Sequence, residues 1–441
     1  MTAFRPTAPG WAVRDSVSLA PTDPTGPLAG ASIAVKDLFD VPGRVSSFGC
    51  EAWRRSHPPA QRLAPLLADL LGAGAGVAGL AKLDQLAYAL SGTVGEGDPP
   101  VNPRHPDRIT AGSSSGSAAA VAGGEATLGL GTDTVGSIRV PAAACGIFGL
   151  RPSHGHLDVD GVLPLAPSLD VPGLLAARAA PLRAALEVVT AATAGGPGHG
   201  RDPFRRVLLP VDLIAEVDAD TGRAVSAVAE QVAARVGCTV EPVEVLAVCD
   251  ARAADLLARC QAREVWRTHG PWLQVWLGEL ADDVRERVER ARTLAGSPPG
   301  ERRSDRVRLR RLRQRCLDLT AGGTLVVMPV TPGPAPRRDA GTSGMGPFRA
   351  FAYRAALPAS VCGAPQVVAP ARCPSGELVG VGLLTAPGED RGLLDLLTAV
   401  WADRPWIDVA PVAQGDDRRA AQPRDDVRSR AAERRRPSAT W

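Results

Sequence analysis

The fold of this 441-residue chain is decided by the stretch Gly131-Thr132-Asp133-Thr134-Val135-Gly136-Ser137-Ile138-Arg139 and by an earlier one, Ala111-Gly112-Ser113-Ser114-Ser115-Gly116-Ser117. The alanine-rich run at 118–126 predicts a short helix, and helix-forming residues also follow the second stretch. Each loop therefore lies near a helix N-terminus, where free backbone N–H groups and the helix dipole favour negative charge. Acyl transfer needs such donors. We expect a nucleophilic Ser137 beside the amides of Thr134, Val135 and Gly136. A flexible linker has a similar composition, but apolar helix and strand patterns bound both loops.

Lysine is nearly absent from the chain. Of its 50 basic residues, only Lys36 and Lys82 are lysines. Lys36 ends the apolar run Ser32–Lys36, which predicts a buried strand. Arginine stays charged in proteins, whereas a buried lysine can lose its proton and act as a base. The arginine excess by itself also fits a nucleotide bias of the genome. Together with the two serine loops, however, Lys36 predicts a buried catalytic base.

These segments resemble the amidase signature family, whose members carry a Ser–cis-Ser–Lys triad. The family's serine-rich loop falls on residues 111–117, its nucleophile loop on 133–139 and its triad lysine on 33–37. The similarity continues through 145–155 and 360–370. It covers most of residues 26–405, more weakly between about 195 and 320. The resemblance implies the amidase signature fold, an α/β fold with a central mixed β-sheet of about ten strands covered by helices on both faces.

The same resemblance implies a role for each triad residue: Ser137 is the nucleophile, Ser113, after a cis peptide bond, is the bridging serine, and Lys36 is the terminal base. Serine is a poor nucleophile until a base activates it. Ser113 would accept the Ser137 proton and pass its own to Lys36, which burial must hold neutral. Water would then hydrolyse the acyl-Ser137 intermediate, so that a carboxamide gives a carboxylic acid and ammonia. The implied oxyanion and substrate-binding residues are Thr134, Val135, Gly136 and Ser114.

Within the family, the motifs are most similar to plant-type indole-3-acetamide hydrolases, through residues 35–45, 112–117 and 148–155. The triple serine also occurs in hydrolases of urea-derived acids, so several amide classes stay open as substrates. Many members have glycine at the position of Val135. Because a β-branched residue resists positive φ, the loop must hold a negative φ there. Six residues of the variable middle and the carboxy-terminal loops are candidates for the substrate pocket, although core packing explains each of them at least as well: Trp266, His269, Trp272, Met328, Phe348 and Phe351.

Three alternative hypotheses stay open. A Ser–His–carboxylate triad would recruit Asp133 or Asp158 and one of the histidines near the serine loops, His105, His154 or His156, although no convincing Gly-x-Ser-x-Gly elbow is present. An amide-forming acyltransferase would use the same acyl-enzyme with an amine as the acceptor. A catalytically inactive binding module could keep the fold, because a fold does not establish a function. Asp133 and Arg139 bracket the nucleophile, and we expect them to pair and hold its loop.

Alternating helix and apolar strand patterns indicate a covered α/β sheet. They predict strands at 32–36 and 76–80, helices at 63–72 and 84–90, and a loop at 331–346. An arginine-rich helix at 306–319 is expected to present a solvated face. Beyond about Val412 the composition turns to Arg, Asp, Ala and Pro. We therefore predict an amidase domain at 1–411 and a disordered tail at 412–441.

The composition predicts a soluble, cytoplasmic enzyme. The chain is 45% hydrophobic, which is enough to bury a large core, and has no apolar run of about 18 residues for a membrane span. The N-terminus, residues 1–15, lacks the pattern of a secretory signal. A net charge of +3 without a basic stripe argues against nucleic-acid binding. Eight scattered cysteines favour reduced, mostly buried thiols and no zinc site. We expect a small-molecule amide substrate, no cofactor, no metal and no membrane partner, with a homodimer left open.

Overall fold

The computed structural model describes residues 11–13, 18–191 and 204–410, and within them the chain forms twelve strands and thirteen helices. The strands are β1 (Trp11–Val13), β2 (Ser32–Lys36), β3 (Gly76–Ala81), β4 (Leu128–Asp133), β5 (Phe148–Arg151), β6 (Val171–Ala176), β7 (Arg206–Pro210), β8 (Val240–Val243), β9 (Thr324–Pro329), β10 (Gln366–Arg372), β11 (Leu378–Leu384) and β12 (Ile407–Asp408). The helices are α1 (Glu51–Ser56), α2 (Pro65–Gly72), α3 (Ser115–Ala122), α4 (Arg139–Cys145), α5 (Ala179–Ala191), α6 (Val211–Ile214), α7 (Ala219–Val236), α8 (Leu246–Cys249), α9 (Ala251–Trp276), α10 (Asp282–Ala295), α11 (Pro299–Thr320), α12 (Gly341–Cys362) and α13 (Asp390–Trp401).

The strands form one mixed sheet in the order β1-β3-β2-β4-β6-β5-β10-β11-β9-β7-β8, with β12 beside β10. β2 runs parallel to both β3 and β4. The pairs from β4 through β6, β5, β10 and β11 to β9 are antiparallel, and β9, β7 and β8 are parallel again. The prediction of a mixed α/β sheet of about ten strands is confirmed, with twelve strands observed.

Helices cover both faces of this sheet, as predicted. Successive strand residues point to opposite faces, and in β2 Ile33 and Val35 pack into the largest apolar cluster, which holds residues of α2, α5, α7 and α13. Ala34, between them, packs instead with Ala120 of α3. In β6, Leu174 belongs to the first cluster and Leu175 to one formed with α3 and α4. Neither face of the central strands is therefore left to solvent.

Two of the predicted elements are wrong. Residues 84–90 form only a 3₁₀ turn, Gln85–Ala87, because Leu86 and Ala87 take left-handed φ values of 55° and 53°. The predicted loop at 331–346 is also too long, since α12 begins at Gly341 and contains Pro347 and Pro358. Glycine and proline disfavour a helix by propensity. Here the burial of apolar residues along the helix outweighs that preference.

The described residues up to Val409 form one compact unit, whereas the predicted tail at 412–441 lies outside the described residues. All eight cysteines are free thiols, six of them buried, which confirms the prediction of reduced and mostly buried cysteines. Across the described ranges, no helix is both long enough and apolar enough to cross a membrane.

Candidate active site

Lys36 lies at the carboxyl end of β2, beside the carboxyl end of the parallel strand β4. Val35 is paired in register with Leu130, so the next residues of both strands meet at the same edge. The Lys36 side chain is fully buried. Its Nζ lies 2.8 Å from Ser113 Oγ and donates to Thr132 Oγ1 (2.9 Å) and to the Thr132 carbonyl (3.5 Å). The strand register therefore brings the sequence-predicted base to the first of the two serine loops.

Burial lowers the pKa of Lys36 from 10.5 to about 7. Desolvation is the largest cause, because a low-dielectric surrounding disfavours the charged ammonium. The negative charges of Asp84, Asp133 and Asp170 oppose this effect without cancelling it. A large fraction of Lys36 is therefore neutral near pH 7 and able to accept a proton.

Ser113 is buried and follows a cis peptide bond between Gly112 and Ser113. The backbone passes so close to Asp84 that a Cβ on Gly112 would lie 2.1 Å from Asp84 Oδ2. The buried Asp84 carboxylate accepts the amide hydrogens of Gly92 (3.0 Å) and Val94 (3.2 Å). Asp84 thus organises the loop that packs against Gly112, and glycine is required there by close approach.

The two serine loops meet over β4. The Ser114 N–H donates to the Ser137 carbonyl (3.2 Å), and Ser114 Oγ donates to the Thr132 carbonyl (3.3 Å). A Cβ on Gly131 would lie 2.6 Å from Ser114 Oγ and 2.8 Å from Ile138 Cδ1. Only glycine at this strand position lets both loops pack so closely.

Asp133 holds the nucleophile loop from inside. Its Oδ1 accepts the Gly136 N–H (2.8 Å) and its Oδ2 accepts the Ile138 N–H (3.1 Å). Arg139 donates to both oxygens, from Nη2 (2.8 Å) and Nε (2.9 Å), so the expected pair is present. Arg151 adds a second guanidinium, 3.2 Å from Oδ1. Burial raises the pKa of Asp133, but these two guanidinium charges and the amide contacts outweigh it and hold that pKa far below 3.8.

The same contacts narrow the set of oxyanion donors. The Gly136 amide already donates to Asp133, which leaves the amides of Thr134 and Val135 as the better candidates. The loop takes its positive φ, 106°, at Gly136, where no side chain opposes it. Val135 lines the pocket. Thr134 Oγ1 donates to Asp170 Oδ1 (2.6 Å), which fixes the threonine side chain.

Several residues of this network did not emerge from sequence reasoning: Thr132, Arg151, Asp170, Ser360 and Gln366. Arg139 Nη1 donates to Gln366 Oε1 (2.5 Å) and its Nη2 to Ser360 Oγ (2.9 Å). Burial lowers the pKa of Arg151 to about 10 and raises that of Asp170. In the sequence, the one feature that pointed to this network was a charged residue, Arg151, at the end of an otherwise apolar strand.

Ser137 opens into a cavity of about 440 Å³, a size typical of small-molecule sites. Thr134, Val135, Leu165, the segment 87–90 and residues of α9, α10 and α12 form the rest of its wall. None of the six predicted pocket residues is among the lining residues, so that prediction is wrong. Instead, Trp272 and His269 pack around Trp53, with ring centroids 5.0 and 5.4 Å away. The others are buried in the apolar core or packed against it: Trp266, Met328, Phe348 and Phe351.

The histidines of the alternative triad bond elsewhere. His156 Nδ1 lies 3.0 Å from Asp390 Oδ2, His154 Nε2 lies 3.1 Å from the Pro167 carbonyl, and His105 faces Glu377 at 3.7 Å. The Asp390 hydrogen bond raises the pKa of His156. In the described part of the chain, no group of three or more His, Cys, Asp and Glu side chains could hold a metal ion.

Comparison with known proteins gives a consistent result. The family model "Amidase" matches residues 1–204. "Amidase 1" of Arabidopsis thaliana is 31% identical over 421 residues, covering 88% of this chain and 97% of that protein. A crystal structure of an amidase matches with a TM-score of 0.74 at 28% identity, covering 86% of this chain and 85% of the other. A second solved structure comes from a vestigial protein complex that reveals the evolutionary origins of an s-triazine catabolic enzyme. Its TM-score is also 0.74, at 27% identity, and the match covers 88% of this chain and 86% of the other.

Other relatives contradict the predicted cytoplasmic location. "Outer envelope protein 64, chloroplastic" of Arabidopsis thaliana is 37% identical over 204 residues, 45% of this chain and 35% of that protein. A mitochondrial outer envelope protein and a chloroplast outer-membrane translocon protein match 34% of this chain and 25% of their own length. The prediction failed because free thiols report the redox state of a compartment and not attachment to a membrane.

The full-length similarity to a plant amidase coincides with a site that brings the predicted lysine and the two serine loops together. The chain belongs to the amidase signature family and is an amide-hydrolysing enzyme.

Proposed function

We propose that the chain hydrolyses a small-molecule carboxamide through an acyl-Ser137 intermediate. The observation that carries this proposal is the buried contact between Lys36 Nζ and Ser113 Oγ at 2.8 Å. A lysine with a pKa of about 7 is matched to proton transfer near neutral pH. We further propose that residues 1–411 form the catalytic domain.

In the proposed acylation, Ser137 Oγ attacks the amide carbonyl carbon while its proton passes to Ser113. Ser113 gives its own proton to the neutral Lys36. Thr132 Oγ1 accepts from Lys36 Nζ and so orients the amine toward Ser113. The tetrahedral intermediate collapses as the C–N bond breaks, and the relay run in reverse protonates the departing ammonia. Water then attacks the acyl-enzyme, which releases the acid and regenerates Ser137.

The oxyanion would be stabilised by the amides of Thr134 and Val135. These amides are preorganised because Asp133 and Arg139 fix the turn that follows them. Donors held rigidly in a site that excludes water contribute strongly to stabilising the transition state. The plant relative "Amidase 1" and the plant-type motifs make arylacetamides one class to include among substrates. A homodimer stays a prediction that sizing of the purified chain can test.

The test is ammonia release from a panel of aliphatic, aromatic and acidic carboxamides. Comparison of the wild type with Ser137→Ala, Ser113→Ala and Lys36→Ala should show at least about a 10³-fold loss for Ser137→Ala, since a lost nucleophile leaves only binding and the oxyanion site. Thr320→Ala is the matched control, because this buried hydroxyl bonds within α11 and lies outside the site. Full activity in Ser137→Ala would contradict the proposal.

The two alternative functions give different results in the same assay. An acyltransferase would form amide or hydroxamate products from added amine or hydroxylamine much faster than free acid. An inactive binding module would release no ammonia from any substrate, yet would still bind amides. Free acid as the main product, formed in step with ammonia, separates hydrolysis from both.

A further inference from the structure

Three helices, α9, α10 and α12, supply most of the residues that line the Ser137 cavity. α9 contributes residues at helical spacing, mostly alanines: Ala251, Ala254, Asp255, Ala258, Gln261 and Ala262. With Leu90 and Leu165, these alanines give the cavity a largely apolar surface. The cavity is therefore suited to a substrate with an extended apolar body.

Both tyrosines of the chain line this one cavity. The sequence contains only Tyr88 and Tyr353, and they come from segments 265 residues apart. Tyr353 donates its hydroxyl hydrogen to Gln261 Oε1 (3.0 Å), so this end of the cavity presents a phenol and an amide rather than hydrocarbon. Most of the polar side chains that line the pocket therefore come from the wall formed by α9, α10 and α12.

Arginine is concentrated on the same side. Four arginines line the cavity, Arg287 and Arg290 of α10 and Arg349 and Arg354 of α12. Asp283 forms ion pairs with two of them, since its carboxylate lies 2.7 Å from Arg349 Nη1 and 3.0 Å from Arg287 Nη2. Arg290 lies 2.7 Å from Asp255 Oδ1, and Asp255 also contacts Arg259.

The charges at this wall do not balance. Arg354 pairs with Glu216 (2.7 Å), so the four lining guanidiniums contact only three carboxylates, one of them shared with Arg259. The four guanidiniums and three carboxylates leave a formal excess of one positive charge at a mostly apolar, partly enclosed cavity. A guanidinium in such a place binds a carboxylate strongly, through charge-assisted hydrogen bonds.

We propose that the natural substrate is an acidic amide, with the carboxamide at Ser137 and a carboxylate at the other end of an apolar spacer, held by Arg290 and Arg349. This inference rests on the proposed function. The reaction adds one water to the carboxamide, breaks its C–N bond and releases a dicarboxylate and ammonium. The monoamide of a medium-chain dicarboxylic acid is the simplest molecule of this class.

The experiment pairs acids with neutral amides of equal chain length: succinamic, adipamic and suberamic acids against butanamide, hexanamide and octanamide. The wild type should prefer the acid of the best length by at least about 10-fold in kcat/KM. Arg349→Gln and Arg290→Gln should each lower the ratio of kcat/KM on that acid to kcat/KM on the neutral amide roughly 10- to 100-fold. Asp255→Asn should act in the opposite direction and raise kcat/KM on the acid, because it removes a negative charge from the wall.

Arg206→Gln is the matched control, because Arg206 forms an exposed ion pair with Glu241 (2.6 Å) and does not line the cavity. It should leave both substrates unchanged. Neutral amides hydrolysed as well as the acids, or arginine variants that slow both classes equally, would overturn the inference while leaving amide hydrolysis intact.

Calorimetric binding to Ser137→Ala protein separates the two proposals, because it needs no turnover. Adipamate should bind more tightly than hexanamide, and Arg349→Gln in the same background should abolish the difference. If Ser137→Ala protein bound adipamate selectively while the wild type hydrolysed no amide, the proposed function would be contradicted and the anion site supported. Equal affinity for adipamate and hexanamide would contradict the anion site.

Discussion

At the scale of single residues, the account depends on the protonation state of Lys36. Full burial lowers its pKa to about 7 against the pull of three nearby carboxylates. In the proposed mechanism, a neutral Lys36 is what allows Ser113 to relay the proton of Ser137. The histidines make their own contacts elsewhere.

The first prediction concerns pH and activity. Because the base must be neutral, kcat/KM should fall about tenfold per pH unit as the pH drops below about 7. His154→Ala and His156→Ala should keep the same profile, since these rings bond to the Pro167 carbonyl and to Asp390. The measurement is kcat/KM for one amide from pH 5 to pH 9. A histidine variant that removes the acid limb would favour the alternative triad.

The second prediction concerns pH and stability. Between pH 7 and the unfolded value of 10.5, the unfolded chain holds a proton on Lys36 that the folded chain has lost. The free energy of unfolding contributed by this residue therefore rises with pH by about 1.4 kcal/mol per unit in that window and is flat below it. The measurement is the free energy of unfolding in urea, for the wild type and for Lys36→Met, at several pH values. The difference between the two proteins should rise with pH at this slope. A pH-independent difference would mean that Lys36 stays charged in the fold.

At the scale of elements, the site depends on two parallel strands and the loops that follow their carboxyl ends. The meeting of Lys36 with the two serine loops could be predicted from sequence, because each lies in a short, specific motif. Thr132 and Arg151 could not, because their contacts with Lys36 and Asp133 follow from strand pairing between distant segments. The pocket wall was missed for a related reason, since glycines and prolines hide the start of α12.

The third prediction tests the loop support. Arg139→Met should destabilise the fold by about 3–5 kcal/mol, because it leaves the Asp133 carboxylate buried beside Arg151 alone. The control is Arg206→Gln, which removes an exposed ion pair with Glu241 and should leave the free energy of unfolding almost unchanged. Urea unfolding gives both values. Similar small costs for both variants would show that the Asp133 pair does not support the loop.

At the scale of the whole molecule, the sheet is covered by helices on both faces and carries the two serine loops, while α9, α10 and α12 line the Ser137 cavity. The fold class could be predicted because strand and helix patterns alternate around specific motifs. Cellular location could not, since neither composition nor cysteine spacing records what a surface attaches to.

The fourth prediction concerns the proposed domain boundary. A chain ending at residue 411 should keep kcat/KM within about 2-fold and Tm within about 2 °C, because the compact unit ends at Val409. Truncation at residue 399 is the comparison, since it removes the buried Trp401, which donates to the Pro370 carbonyl (3.1 Å). If the chain ending at residue 411 lost as much activity as the chain ending at residue 399, essential contacts would have to come from the residues beyond 411.

The central claim is that Ser137 is the nucleophile and that Lys36, through Ser113, activates it. The most direct measurement is mass-spectrometric location of the adduct formed by a fluorophosphonate on the full chain. We expect one adduct, on Ser137, that is absent in Ser137→Ala and forms at least about 100-fold more slowly in Lys36→Ala. An adduct on another residue, or labelling of Ser137 at the same rate without Lys36, would contradict the account.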